Sequence, residues 1–312
     1  MTVVVFGSIN MDLVVRTPRL PAPAETITGH EFFTAPGGKG ANQAVAAARL
    51  GAPTKMVGRV GGDAFGQELR QNLTAAGADV SSVFTDPAVS SGVAVIAVDD
   101  QAQNTIIIVP GANGNVGDDD LGRLESGLIG AKVLLLQLEV PLPAVVAAAR
   151  LAHQHGLTVV LDPAPAQELP AELFALVDII TPNEVEAGQL AGMTVKTPAD
   201  AARAAKKLLN LGVKTAIIKM GALGVLYAQA EREATFVPAF EVQAVDTVAA
   251  GDAFNGGLAT ALVEGCDLPE TIRWGAAAGA LSATKMGAQP SMPGRAEFEA
   301  FLKAHPGPIL FK

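Results

Sequence analysis

The sequence predicts an α/β fold, with a mostly parallel central sheet covered by helices on both faces and a small β lid beside it. Short β-branched runs alternate with helical stretches from about residue 132 onward, which is the order of βαβ units. Those runs are apolar throughout, as in strands buried on both sides. Residues able to do chemistry follow directly after them, where open α/β sheets bind ligands.

Taken in order, Val3–Phe6 is a β-branched run closed by Gly7 and predicts a buried first strand. From Val14 to Thr34 the texture changes. Pro18, Pro21 and Pro23 break the chain and leave short extended pieces such as Glu25–Thr28, the pattern of a small sheet apart from the main body. Gly92–Asp99 and Asn104–Pro110, separated by a polar turn, predict a hairpin of the same kind. Residues 13–34 and 92–110 would together build the lid, within one domain spanning 1–312. Gly38–Leu50 is alanine-rich and helical. Lys132–Leu138 predicts a strand and Pro141–His155 a helix with proline near its first turn. Thr158–Leu161 is a strand ending in Asp162-Pro163, and Val177–Ile180 one ending in Pro182-Asn183. Pro198–Leu211 is a helix, and Thr215–Lys219 a strand ending at Gly221. The last third is nearly all helix, Gly251–Lys285 and then Arg295–Ala304.

The bulk numbers bound the function. With 49% hydrophobic and 17% charged residues in 312, the chain has material for a large core, and global disorder is excluded. A net charge of −9, with 22 Lys and Arg scattered along the chain, supplies no basic face to displace counterions from nucleic acid. The single cysteine, Cys266, rules out a disulfide framework and a cysteine zinc site. Of the four histidines, His153 and His155 are two apart near a helix end and poorly placed as metal ligands. No Gly-x-Ser-x-Gly or His-Glu-x-x-His occurs, so hydrolase and metalloprotease readings find no support. Met1–Asn10 lacks a basic leader, and no uncharged apolar run reaches the length of a membrane span. The expectation is a soluble cytoplasmic protein with neither nucleic-acid nor membrane partner.

Three stretches can carry chemistry. In Val245–Phe254, small residues Ala249, Ala250 and Gly251 precede a helix start with Asp252 in its first turn. Such N–H groups and the helix end can hold an anion, and the carboxylate can take a proton from a hydroxyl. An ordinary helix start, with Asp252 favoured by the dipole, reads the same residues. Pro36–Asn42 opens a helix with glycines, but Gly40 stands after Lys39 where a Walker loop needs Ser or Thr, and Gln43 spoils a dinucleotide fingerprint. It is either a ligand-approach loop or a tight turn. Asn183 and Glu186 share one face of a helix start. They can orient a phosphate-bound magnesium and its waters, or simply cap the helix.

Each motif is weak alone, yet their order resembles the ribokinase (PfkB) family of carbohydrate kinases across Val3 to Leu302. Gly7-Ser8-Ile9-Asn10-Met11-Asp12 is similar to its opening sugar-binding segment, Gly37–Ala44 to its first signature and Asp246–Gly256 to its second. Leu161–Ala166, Ile180–Glu184 and Gly287–Ser291 also have counterparts. The resemblance implies a ribokinase-like fold and a kinase using ATP, with Asp252 as base and Ala249, Ala250 and Gly251 as anion hole. It implies a sugar site of Asn10, Asp12, Gly38, Lys39, Asn42, Glu139 and Asp252. The nucleotide side would comprise Asn183 and Glu186, facing phosphates and Mg2+, with Lys219, Met220, Gly221, Ala222, Leu223, Gly224, Gly251 and Ala276. A K+-type ion would lie near Asp246, Val248, Ser282, Lys285, Gly287 and Ser291, and the lid would pair two subunits into a homodimer.

The chain departs from the family at Lys219, where threonine is frequent, at Ala276, where a close relative has histidine, and at Asp162, where asparagine is common. The polar set Asn10, Asp12, Asn42 and Glu139 suits a small polyol and favours D-ribose. A 2-deoxyribose kinase is the nearest rival, then a nucleoside kinase, which would need an apolar shelf for its base. A non-catalytic sugar-responsive binding protein is the rival from another class, and the intact set around Asp252 and Lys39 speaks against it.

Overall fold

A computed structural model describes residues 1–101 and 103–306, and the elements below are those of the described residues. In chain order they are β1 (Thr2–Phe6), β2 (Asn10–Thr17), β3 (Glu31–Gly37), α1 (Lys39–Arg49), β4 (Thr54–Gly61), α2 (Ala64–Ala75) and β5 (Asp79–Asp86). Then come β6 (Gly92–Asp99), β7 (Asn104–Val109), α3 (Asp118–Leu128), β8 (Ala131–Leu136), α4 (Leu142–Gln154), β9 (Thr158–Leu161) and α5 (Ala171–Leu176). The remainder is β10 (Ile179–Ile180), α6 (Glu184–Ala191), α7 (Pro198–Leu211), β11 (Thr215–Lys219), β12 (Gly224–Gln229), β13 (Thr235–Pro238), α8 (Ala250–Glu264), α9 (Leu268–Ala283) and α10 (Arg295–Ala304).

The described strands form a nine-stranded sheet in the order β13-β12-β11-β10-β9-β8-β1-β4-β5, parallel except where β12 and β13 join. Successive residues of each parallel strand serve opposite cores because the side-chain period is two. Val3, Val5, Val133 and Leu135 face a core shared with α1, α8 and α9. Val4, Phe6, Leu134 and Leu136 face the other, with α4 and α7. Burial on both faces explains why these strands read as unbroken apolar runs. Leaving β1, the chain runs to β4 on one side and later to β8 on the other, so the carboxyl ends open a crevice at the reversal.

A separate four-stranded sheet, β3-β2-β6-β7, stands beside this body. Its strands come from the proline-broken segment and from the antiparallel pair β6–β7; residue 102 lies outside the described residues. Glu25–Thr28 is not a strand. Ala24 turns the backbone to φ 64, and the Glu25 carboxylate accepts from the Ala22 N–H and from Arg19, so a turn at Pro23–Ala24 leads into the segment. Among the described residues no helix is long and apolar enough to cross a membrane.

Candidate active site

The segment before α8 sets the geometry. Ala249 sits at φ 59, in the left-handed region, and no side chain caps the helix behind it. A residue with a Cβ is uncommon there, and such strain persists where the surroundings demand it. The first-turn N–H groups of α8 have no intrahelical partner, although that of Ala250 donates to the Thr247 carbonyl at 3.2 Å, and they carry the positive end of its dipole. Asp252, one turn in, is 5% exposed and points back to α1. Asn42 Nδ2 donates to its Oδ2 at 2.9 Å, and Gln43 Nε2 to its Oδ1 at 3.1 Å. Burial lifts the Asp252 carboxyl to about 6, with Lys39 pulling it down and Asp162 pushing it up.

On the lid side, β2 delivers Asn10 and Asp12. Gly38 holds φ 87, and a Cβ there would stand 2.7 Å from the Asn10 nitrogen, so only glycine lets β3 run this close. A Cβ on Gly37 would collide with the Asp12 carboxylate. Glu139, just past β8, accepts from the Lys39 N–H at 3.0 Å and from Ser8 Oγ at 2.6 Å. Asn10 Oδ1 accepts from Asn113 Nδ2 at 2.7 Å. Burial, then Glu139 and Asp252, raise Asp12 to about 7. Burial works against the Lys39 ammonium, but Asp252, Asp162, Glu139 and Glu186 outweigh it and hold its pKa above the ordinary lysine value. Asn10, Asp12, Gly38, Lys39, Asn42 and Glu139 therefore share one neighbourhood with Asp252.

From Lys39 and Asp252 a cavity of about 640 Å³ runs outward along α8 and α9. Ala249, Ala250, Gly251, Asn183, Glu186, Lys219, Gly221, Ala222, Gly224 and Ala276 line it. Two neighbours in the sequence do not. Met220 is 1% exposed and lies in the core with α4 and α7, while Leu223 is half-exposed away from the cavity. Asn183 and Glu186 form a reciprocal cap: Asn183 N donates to Glu186 Oε2 at 2.8 Å, and Glu186 N to Asn183 Oδ1 at 2.9 Å. The capping role is thus real, and it leaves Glu186 facing the cavity. Burial and then Asp162 raise the Glu186 carboxyl, with Lys219 opposing. A carboxylate and an amide oxygen at one rim fit a magnesium ion that keeps most of its waters.

The remaining site residues come from before α8 (Asp246, Val248), from the end of α9 (Ser282) and from the segment after it (Lys285, Gly287, Ser291). Asp246 accepts from the N–H groups of Val248 and Gly287, each at 2.9 Å, and Ser282 and Ser291 share a hydrogen bond of 2.6 Å. The Lys285 ammonium is drawn away to Glu297 at 2.7 Å. Ser291 Oγ also donates to the Ala288 carbonyl at 2.7 Å; the Asp246 carboxylate is an oxygen donor of the kind a hard cation takes.

Sequence reasoning missed Gln43, which has no charge to mark it inside an alanine-rich helix, and Ser8 and Asn113, which hold Glu139 and Asn10. Asp162 carries the signal that found Asn183, a polar residue directly after a strand, without having been given a role.

The chain is similar to known carbohydrate kinases. Residues 1–295 match the family model described as pfkB family carbohydrate kinase. The ribokinase of Haemophilus influenzae is 43% identical over 302 residues, covering 97% of this chain and 98% of its own. The deoxyribokinase of Salmonella typhi is 38% identical over 303 residues, covering 97% and 99%. The structure of Arabidopsis thaliana ribokinase complexed with ribose and ATP matches with a TM-score of 0.89 at 36% identity, covering 96% of this chain and 98% of that one.

Proposed function

Given that this chain belongs to the pfkB family of carbohydrate kinases, we propose that it transfers the γ-phosphate of ATP to the 5-hydroxyl of D-ribose, giving ribose 5-phosphate. The observation that carries the reading is Asp252: a buried carboxylate, fixed by Asn42 and Gln43, at the start of an uncapped helix that borders the cavity. In this role Asp252 takes the hydroxyl proton, and the N–H groups of Ala249, Ala250 and Gly251 meet the charge developing on the phosphoryl oxygens. Asn10, Asp12, Gly38, Lys39, Asn42 and Glu139 grip the sugar, and Lys219, Gly221, Ala222 and Gly224 with Gly251 and Ala276 flank the nucleotide. Asn183 and Glu186 would hold magnesium, which when bound neutralises phosphate charge. Asp246, Val248, Ser282, Lys285, Gly287 and Ser291 would hold a potassium-type ion.

Transfer is direct and in line, since positioning and charge stabilisation suffice for phosphoryl chemistry. A chirally labelled γ-phosphorus should invert; retention contradicts the mechanism. The reaction would run in the cytoplasm, with ATP as donor.

The buried polar set facing the sugar favours ribose over analogues that lack a hydroxyl. The 38% identical deoxyribokinase supports a second reading, 2-deoxyribose as acceptor. Rates on the two sugars in competition decide between them, and faster turnover of deoxyribose overturns the ribose assignment.

The four-stranded sheet, built from residues 10–17, 31–37, 92–99 and 104–109, serves as a lid over the sugar and as the pairing surface of a homodimer. In support, the two outer strands of that sheet expose apolar side chains, Ile106, Ile107, Ile108 and Val109 on β7 and Phe32 and Phe33 on β3, surface of the kind that marks an interface.

A further inference from the structure

Behind Asp252 lies a second carboxylate with a lysine of its own. Asp162, 3% exposed at the end of β9, accepts from Lys219 Nζ through Oδ1 at 2.9 Å and from Gln43 Nε2 through Oδ2 at 3.0 Å. The same Gln43 nitrogen donates to Asp252 at 3.1 Å. Gln137 Nε2 donates to Gln43 Oε1 at 2.7 Å, so the Gln43 amide has one orientation, with its nitrogen toward both carboxylates. The Lys219 ammonium stands 3.1 Å from where a Cβ on Gly251 would be. It therefore occupies the first turn of α8, on the wall of the cavity.

Resting on the kinase reading above, we infer that Asp162 is a positioning residue for both substrates' chemistry: one oxygen holds Lys219 over the α8 N-terminus, where it meets a nucleotide phosphate, and the other holds the Gln43 amide on the base Asp252. An ammonium has three protons, so Lys219 can keep Asp162 and still donate to a phosphate oxygen. A carboxylate is required at 162 because both partners are donors. Asparagine would turn its own N–H2 toward one of them, and Gln43 cannot flip in answer without turning its carbonyl oxygen on the Asp252 carboxylate. Removing either charge alone leaves the other buried and unpaired, whereas removing both leaves none.

The test compares Lys219→Met, Lys219→Arg, Asp162→Asn and the double Asp162→Asn/Lys219→Met with the native chain. Thermal unfolding shows which variants fold, and the double variant serves where a single one does not. Loss of a charge-assisted phosphate contact in Lys219→Met should weaken ADP binding by calorimetry, and raise KM for ATP, by about tenfold or more. Ribose affinity should stay within about twofold, because Lys219 faces the nucleotide side. Lys219→Arg should recover most of the ADP affinity. Asp162→Asn should lower kcat as well as weaken ADP binding, and the double variant should lose less than the product of the two single losses. ADP affinity unchanged in Lys219→Met, or single effects that multiply in the double variant, overturns the inference. ADP calorimetry needs no turnover, so it judges Lys219 even where the sugar assignment fails, and native turnover with ribose judges that assignment separately.

Discussion

At the scale of single residues, the site gathers more negative charge than its surroundings comfortably hold. Asp12 shows this best. Its carboxyl is raised from 3.8 to about 7, by burial first and then by Glu139 and Asp252. The folded chain thus binds that proton more tightly than the unfolded one, so the associated stability is complete below pH 4 and lost as pH rises through 7. Asp12→Asn should therefore stabilise the protein by on the order of 2–4 kcal/mol at pH 8, with the gain vanishing near pH 4. Thermal unfolding of the two proteins across that range measures it, and a difference that does not change with pH contradicts it. The same variant should bind sugar more weakly, a stability gain made at a functional site's expense. Asp12, Asp252 and Glu139 were legible in the sequence because each follows a strand or opens a helix. Gln43 and Asn113 were not, since a buried amide that orients a neighbour looks like any other polar residue until its partners are known.

At the scale of elements, the base depends on how closely α1 and α8 pack. Gly256 faces α1, where a Cβ would stand 2.9 Å from the Ala47 nitrogen. Gly256→Val should push the helices apart, costing about 1–3 kcal/mol from overpacking and drawing Asn42 and Gln43 off Asp252. A folded variant with reduced kcat is expected, and one with native kcat shows that the base does not rely on this contact. Elements with strong local signals appear at their sequence-read residues. Helix α7 spans Pro198–Leu211 behind a Thr197–Asp200 capping box, and β9, β11 and α10 also keep their boundaries. Strands β4 and β5 escaped notice for a physical reason. β4 contains two glycines and Arg59, whose guanidinium is buried against Asp86 at 3.3 Å and Asp120 at 2.6 Å, and β5 is half polar. A strand stabilised by a buried ion pair has no apolar run to betray it.

For the whole molecule, the four-stranded sheet joins the sugar site to the exposed apolar face of β7, so lid and dimer would be one device. Light scattering should find a dimer that Ile107→Asp converts to monomer; a native monomer at micromolar concentration contradicts the pairing. The parallel sheet and its two cores were evident from the pattern of apolar runs, and the resemblance joined residues 10, 42, 139 and 252 in one site, whereas the strand order and the place of Asp162 beside them required the fold. The central claim is that Asp252 takes a sugar proton during phosphoryl transfer from ATP, and one comparison tests it most directly: phosphorylation of ribose by the native chain and by Asp252→Asn, with ribose affinity measured on both. The prediction is turnover in the native chain, a loss of about 10²–10⁴-fold in the variant, and ribose binding retained in each. Turnover undiminished in Asp252→Asn, or none in the native protein with ribose, ATP, magnesium and potassium all supplied, would contradict it.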